Sequence, residues 1–192
     1  MRRFLRVILP LAIVAVIVVI VVAVVTARPA LDDDEKAVGT AWGPLATELD
    51  ARYGDLAQVN DRLRDLTGPV HDLAEETHDE LAAWRDSADK SVAARAAIAN
   101  RIEELRRRLF TTAQASERVR QDDALAAAVA TIADQPEPGS AGAYNTAVDA
   151  YAKAREGPVI GVLAPVLGYG AIPRFAVVAV VAPAPTTAPA AP

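Results

Sequence analysis

His71, Glu75 and His78 have types and a spacing that could do chemistry. At i, i+4 and i+7 they share one face of a helix. Two imidazoles and a carboxylate could hold zinc or copper. The order is not the HExxH of a metalloprotease, and the chain has only 2 histidines. The expectation is a solvated edge beside an apolar face formed by Val70, Leu73 and Leu81, with no metal site and no cofactor assigned. The acidic pairs Glu75-Glu76, Glu103-Glu104 and Asp122-Asp123 could be imagined as acid–base couples. Neighbours on a helix point about 100° apart and do not converge on one substrate, so these too are expected on solvated faces. Arg106-Arg107-Arg108 follows Glu103-Glu104, with Arg95, Arg101, Arg118 and Arg120 close by. Interleaved signs predict surface ion pairs, with a patch for an acidic partner as the alternative. No GxSxG, GxxxxGK[ST] or GxGxxG motif occurs, which removes the common nucleophile elbow and phosphate loops. Gly157, Gly161, Gly168 and Gly170 stand in apolar surroundings with no strand before them. No catalytic residue is assigned, and the chain reads as a non-enzyme. Tyr144 and Tyr151, two turns apart, are expected to pack with their hydroxyls hydrogen-bonded at the rim of a core. Trp42 and Trp84 are expected in or beside that core, with partner contact as the alternative for all four.

The element that places these residues in space comes first. Val7 to Val25 runs for 19 residues without a polar side chain. As a helix it would be roughly 28 Å long, close to the hydrocarbon thickness of a bilayer. Arg2, Arg3 and Arg6 precede it, and Asp32, Asp33, Asp34 and Glu35 come after it. Positive charge is retained on the cytoplasmic side, so the expectation is a single-pass cell-membrane anchor over 1–28 with its N-terminus inside and the rest of the chain outside. The alternative is a cleaved signal peptide, because Val25-Thr26-Ala27 offers small residues where a peptidase would cut. Apolar regions of signal peptides run to about 15 residues, which favours the anchor.

Of the 20 basic residues, Arg2, Arg3, Arg6 and Arg28 flank this run, leaving 16 against 25 acids in the exported part, or −9. Such a balance argues against a nucleic-acid partner and against broad adhesion to anionic lipid. Cysteine is absent, which rules out disulfides, thiol catalysis and Cys-ligated zinc. Aromatics make up 5% of the chain, and the Ala, Leu, Val, Glu, Asp and Arg that dominate favour helices over sheet.

Along the chain, Arg28-Pro29 predicts an end or kink of the membrane helix, and the acids from Asp32 suit a new helix start. Trp42, Leu45, Leu49, Leu56, Leu63 and Leu66 repeat at helical spacing, with Pro44 and Gly54 predicting a bend. Gly68-Pro69 marks a stop and a fresh start. Val70, Leu73, Ala74, Thr77, Leu81 and Trp84 form the next apolar face. A turn is expected between Asp86-Ser87 and Ser91, before Ile98, Ile102, Leu105 and Leu109. A second break is expected at Gln121-Asp122-Asp123, before Leu125, Val129 and Ile132. The stretch DQPEPGSAG from Asp134 to Gly142 is a loop, and Tyr144, Val148 and Tyr151 share one face of a short helix after it. From Pro158 to Ala182 the only charge is Arg174. The chain then divides as anchor 1–28, helical bundle 29–157, apolar breaker-rich segment 158–182 and a disordered Ala/Pro tail 183–192.

The order of Ala41-Trp42, Leu49, Arg52-Tyr53 and Asp55-Leu56, then Tyr144-Asn145, Val148, Tyr151, Pro158, Gly168-Tyr169 and Phe175 resembles the LemA family of bacterial membrane-anchored helical proteins. That family shows a Trp–Leu–Arg–Asp–Leu pattern early and a Tyr-Asn, Val, Tyr-Asn, Pro, Gly-Phe series late. The likeness covers roughly Glu35 to Val178. Here Tyr151-Ala152 replaces the second Tyr-Asn, Gly168-Tyr169 replaces Gly-Phe, and Ala57-Gln58 stands where a proline is usual. A Pro/Gly loop also replaces the acidic-polar turn before the first Tyr-Asn. The resemblance implies an exported helical bundle without an agreed activity.

The fold expected is all-α, an N-terminal transmembrane helix carrying an up-and-down antiparallel helical bundle. The function expected is a membrane-anchored, non-enzymatic scaffold or adaptor for an envelope protein. The alternatives are an extracytoplasmic sensor that binds a metal or small ligand, or a bundle released by cleavage after Ala27. A sensor would want a cytoplasmic output module, and only about six residues precede the run. The segment 158–182 is expected either to cap the bundle core or to meet the membrane or a partner, since contiguous apolar surface is poorly suited to water.

Overall fold

The computed structural model describes the backbone of residues 2–157 and 160–176, and the side chains of 18–157 and 160–176. Every regular element in that range is helical, and the helices pack as a bundle. The chain divides into two compact units. One takes the chain up to Gly43 and Gly142–Arg174; the other takes Pro44–Ala141 and the chain from Phe175.

Helix α1 (Arg2–Arg64) contributes to both units without interruption, and this corrects the first expectation. The helix does not end at Arg28, and no separate helix begins at Asp32. Pro29 removes one backbone hydrogen bond and crowds the preceding turn. The turns after it are held by tertiary burial, with Leu31 and Val38 at 1% and 0% exposure. Packing of this kind outweighs a local propensity. Pro44 is carried in the same way, beside the fully buried Leu45 and Leu49. Among the described residues no helix is long and apolar enough to cross a membrane. Of the run Val7–Val25, the side chains up to residue 17 lie outside the described residues, as do 158, 159 and everything from 177, including the expected tail.

The second unit is built by reversals that the local sequence dictates. Gly68 adopts φ 79°, a left-handed conformation that suits glycine, and Pro69 opens α2 (Pro69–Arg85) with its ring already at helical geometry. Helix α2 lies antiparallel to α1: Trp84 meets Tyr53 edge-to-face at 5.2 Å, and the Asn60 amide donates to the Ala74 carbonyl at 3.0 Å. The expected turn comes next, and Ser91 caps α3 (Val92–Ala115) by accepting from the Ala94 N–H at 3.3 Å. Ser116 then breaks the helix unannounced, leaving α4 (Glu117–Gln121) as a separate short turn. Asp122 caps α5 (Asp123–Ala133), accepting from the Leu125 N–H at 3.0 Å, at the break expected there. The core takes Leu45, Leu49, Leu56, Leu63, Val70, Leu81, Ile102, Leu105, Leu109, Val129 and Ile132. Leu66, Leu73 and Ile98, expected with them, are only half buried.

In the first unit, α6 (Ala141–Arg155) brings Tyr144, Val148 and Tyr151 to one buried face, as their spacing requires. The short α7 (Ile160–Leu163) comes after it, and the chain from Tyr169 to Arg174 is irregular. The apolar segment that starts at Pro158 divides its duties. Ala164, Tyr169 and Phe175 are buried, while Val162, Val166 and Leu167 are exposed.

Candidate functional site

The largest departure from expectation is a buried ion cluster in the second unit. Glu103 and Arg106, expected on a solvated face and in surface ion pairs, are 0% and 1% exposed. Arg52 joins them at 6%. Its guanidinium holds the Glu103 carboxylate at two points, Nε to Oε1 at 2.9 Å and Nη2 to Oε2 at 3.3 Å. Arg106 Nε donates to Glu103 Oε2 at 3.0 Å. Two guanidiniums against one carboxylate leave a surplus positive charge, which is spread onto backbone. Arg106 Nη1 donates to the Ile132 carbonyl at 3.1 Å, and Arg52 Nη1 to the Pro136 carbonyl at 3.0 Å. The Ile132 carbonyl belongs to the last turn of α5, where it also accepts from the Gln135 N–H at 3.3 Å. Burial pushes the Arg106 guanidinium below its usual value, opposed by Glu103. Burial, with Glu103 adding to it, pushes the neighbouring Tyr53 hydroxyl well above the usual phenol range; it donates to the Ala99 carbonyl at 3.2 Å. The cluster ties α1 to α3 and to the loop after α5. Arg52, Glu103 and Arg106 are all buried, so these ties run through the core.

A signal for it stands in the sequence. Arg52 falls three residues after Leu49 and four before Leu56, on the core stripe of α1. Glu103 and Arg106 fall likewise between Ala99 and Phe110 on α3. Opposite charges on two facing core stripes are a recognisable pattern, because a buried charge must be paired.

Next to the cluster is an open recess of about 340 Å³ lined by Asp50, Tyr53, Gly54, Leu81, Trp84, Arg85, Ala88 and Arg95. Trp84 and Tyr53 form its floor. Arg95 lies over the Trp84 ring at 4.6 Å from its centre, and Trp84 Nε1 donates to Asp50 Oδ1 at 2.8 Å. The volume is at the lower end for a ligand pocket. Asp50 is engaged by Trp84, and the lining holds no histidine, serine or second carboxylate. Tryptophan, tyrosine and arginine are the residue types that dominate protein–protein contacts. This recess is the candidate functional site, with residue types suited to recognition. A wider depression of about 320 Å³ lies between α1 and α5 at Asp55, Val59, Thr131 and Gln135.

The His71, Glu75 and His78 face converges on a cation. Arg64 donates Nε to Glu75 Oε1 at 2.9 Å and Nη2 to Oε2 at 3.2 Å, and its Nη1 lies 3.2 Å from His78 Nδ1. His71 Nδ1 donates to the Arg64 carbonyl at 2.7 Å. The hydrogen bond from Arg64 holds the Glu75 carboxyl below its usual range. Glu75 and His78 are thus engaged by the Arg64 guanidinium and His71 by its backbone carbonyl, and among the described residues no group of three or more His, Cys, Asp and Glu could hold a metal ion. Of the other charges, Arg101 and Arg108 reach Glu76 across α2 and α3 as expected, Asp122 serves as a cap, and Arg95, expected among the surface ion pairs, lies over the Trp84 ring.

Three tyrosines organise the first unit. Tyr144 packs on Trp42 with ring centres 5.2 Å apart, and its hydroxyl donates to the Pro173 carbonyl at 2.8 Å. Tyr151 donates to the Gly170 carbonyl at 3.0 Å, and Tyr169 donates to the Asp32 carboxylate. Burial pushes the hydroxyls of Tyr144 and Tyr151 above their usual values. No family model matches this chain, and no curated protein or solved structure matches it either.

Proposed function

We propose that this chain is a single-pass membrane protein whose helical bundle lies outside the cytoplasm and docks another protein of the envelope, without catalysis of its own. One observation carries the reading: the apolar run and the core stripe of the bundle belong to one uninterrupted helix, α1 (Arg2–Arg64). An anchor continuous with α1 would carry the chain out of the bilayer as helix. The arginines before the run and the acids after it support export of everything past Arg28. The recess, with its aromatic floor and its rim of Arg85 and Arg95, supports recognition of a protein surface that presents a carboxylate. The likeness to the LemA family is part of this proposal and rests on residue order alone.

The test uses the full-length chain in cells, with a photoreactive residue in place of Arg85. Irradiation is expected to capture a discrete protein partner, and external protease is expected to digest the bundle of intact spheroplasts. A bundle protected until the membrane is lysed would overturn the location. Capture no greater than at an exposed control position such as Thr131 would overturn the docking role of the recess.

A further inference from the structure

The first unit exposes an apolar edge: Val162, Val166 and Leu167 at 72%, 81% and 40%. Its position along α1 is set by how α6 is registered. Trp42 meets Tyr144. Seven residues earlier on α1 and seven later on α6, Glu35 lies close enough to Tyr151 to help raise its pKa. The two helices therefore run antiparallel, residue against residue. One more step of seven along α1 reaches Arg28, by which point α6 has ended at Arg155. The turns that open after α6 therefore start at the level of Arg28, before the chain comes back to Tyr144 at Pro173.

Tyr169 fixes that placement. Its hydroxyl donates to the Asp32 carboxylate, and Arg28 is within hydrogen-bonding reach of it. Its backbone N–H donates to the Ala164 carbonyl at 2.9 Å, and the Leu167 N–H donates to the Leu163 carbonyl at 2.9 Å. The turns from Ile160 to Tyr169 are therefore one tied piece, pinned where α1 leaves its apolar run. Burial on α1 agrees. Leu31 is buried and Val24 and Ala27 are half buried, while Val21, Val22 and Val25 are 53%, 55% and 66% exposed.

We infer that Val162, Val166 and Leu167 sink into the outer interface of the bilayer crossed by Val7–Val25, so that lipid is the occupant of this edge. The inference rests on the anchored reading proposed for the whole chain. From Val25 to Asp32 is seven residues, or about 10 Å of helix. The polar layer on each side of the hydrocarbon core is roughly 5–8 Å thick, and apolar faces of interfacial segments sit about 5–10 Å into that boundary. An edge pinned at Arg28 and Asp32 lies within reach of that layer. Apolar side chains there leave water without needing a partner protein, and the segment becomes a collar around the exit of the anchor.

The absence of cysteine makes the test direct. The full chain carrying Val166→Cys is labelled with an environment-sensitive fluorophore and reconstituted into phosphatidylcholine vesicles that contain nitroxide lipid, spin-labelled near the headgroup in one set and midway along the acyl chain in a second. Parallel samples carry the label through Thr146→Cys, on the exposed side of α6, and through Val18→Cys, within the apolar run. The label at 166 is expected to shift to the blue and lose intensity to the nitroxide lipid, and the label at 146 to do neither. Quenching at 18 without quenching at 166 would leave the anchor intact and overturn the lipid contact. Quenching at 166 without any at 18 would keep the lipid contact and overturn the span. Quenching at neither would overturn both.

Discussion

The two units hold themselves together by different polar means. In the second, a carboxylate and two guanidiniums are buried together, and the arginines spend their remaining donors on carbonyls at Ile132 and Pro136. In the first, the polar ties are tyrosine hydroxyls, which reach carbonyls at Pro173 and Gly170 and the carboxylate of Asp32. The difference arises from the kind of backbone each must restrain. Helices satisfy their own backbones except at their ends, so a long, multiply donating arginine can join one helix end to a neighbouring helix. A segment without helical bonds offers bare carbonyls along its length, and each needs one donor that brings its own apolar bulk. The ionic solution is rigid and costly to break. The tyrosine solution is milder and breaks one contact at a time.

Four measurements would sharpen or break that contrast. The largest effect is expected from Glu103→Gln, which leaves Arg52 and Arg106 buried without their counter-charge and should cost about 3–5 kcal/mol in chemical denaturation. Glu104→Gln, one residue along on the exposed side, should stay within roughly 0.5 kcal/mol. Similar losses from both would mean that the cluster is no keystone. Leu56→Ala, four residues after Arg52 on α1 and fully buried, should cost about 2–5 kcal/mol through the cavity it opens. An effect no greater than that of Glu104→Gln would remove Leu56 from the core.

Tyr144→Phe should cost only about 1 kcal/mol, the net worth of one hydrogen bond. The loss should show locally, as faster amide exchange near Arg174 and Phe175, before it shows in global unfolding. The same hydroxyl makes stability depend on alkaline pH. Burial raises the folded pKa of Tyr144 above its unfolded value of about 10. Its contribution is therefore complete below pH ~10 and is lost as the pH climbs through the folded value. The native protein should weaken above that point, and Tyr144→Phe should flatten the decline. An identical pH profile in both would dismiss the hydroxyl as a buried titrating group. The smallest effect is expected from Glu75→Gln, because the Arg64 pair is open to solvent and screened by it. Its unfolding midpoint should not move measurably, and a clear shift would promote this face to a structural site.

Much of the helical plan was legible in the residues. Gly68-Pro69, Ser91 and Asp122 mark helix starts because each solves the problem of unsatisfied N-terminal amides in its own sequence neighbourhood. Ser116 was not legible as a break. It lies within an unbroken helical pattern, and its own side chain makes no capping bond to the short helix after it. Pro29 misled in the opposite direction, since proline predicts an interruption and the burial of Leu31 and Val38 carries the helix past it.

The features that the sequence determined by itself were local and periodic: all-helical composition, the caps, the faces of α2, α5 and α6, and the apolar run flanked by charges of opposite sign. These arise from backbone sterics and from apolar spacing, which a single segment already contains. Only the tertiary structure decided the partner of each polar group. Glu103 and Glu104 are identical side chains one residue apart, and the helix turns one into the core and the other into water. Whether the inward one is a flaw or a keystone depends on Arg52, 51 residues away, because the electrostatic cost of burial is cancelled only by a specific charge at hydrogen-bonding distance.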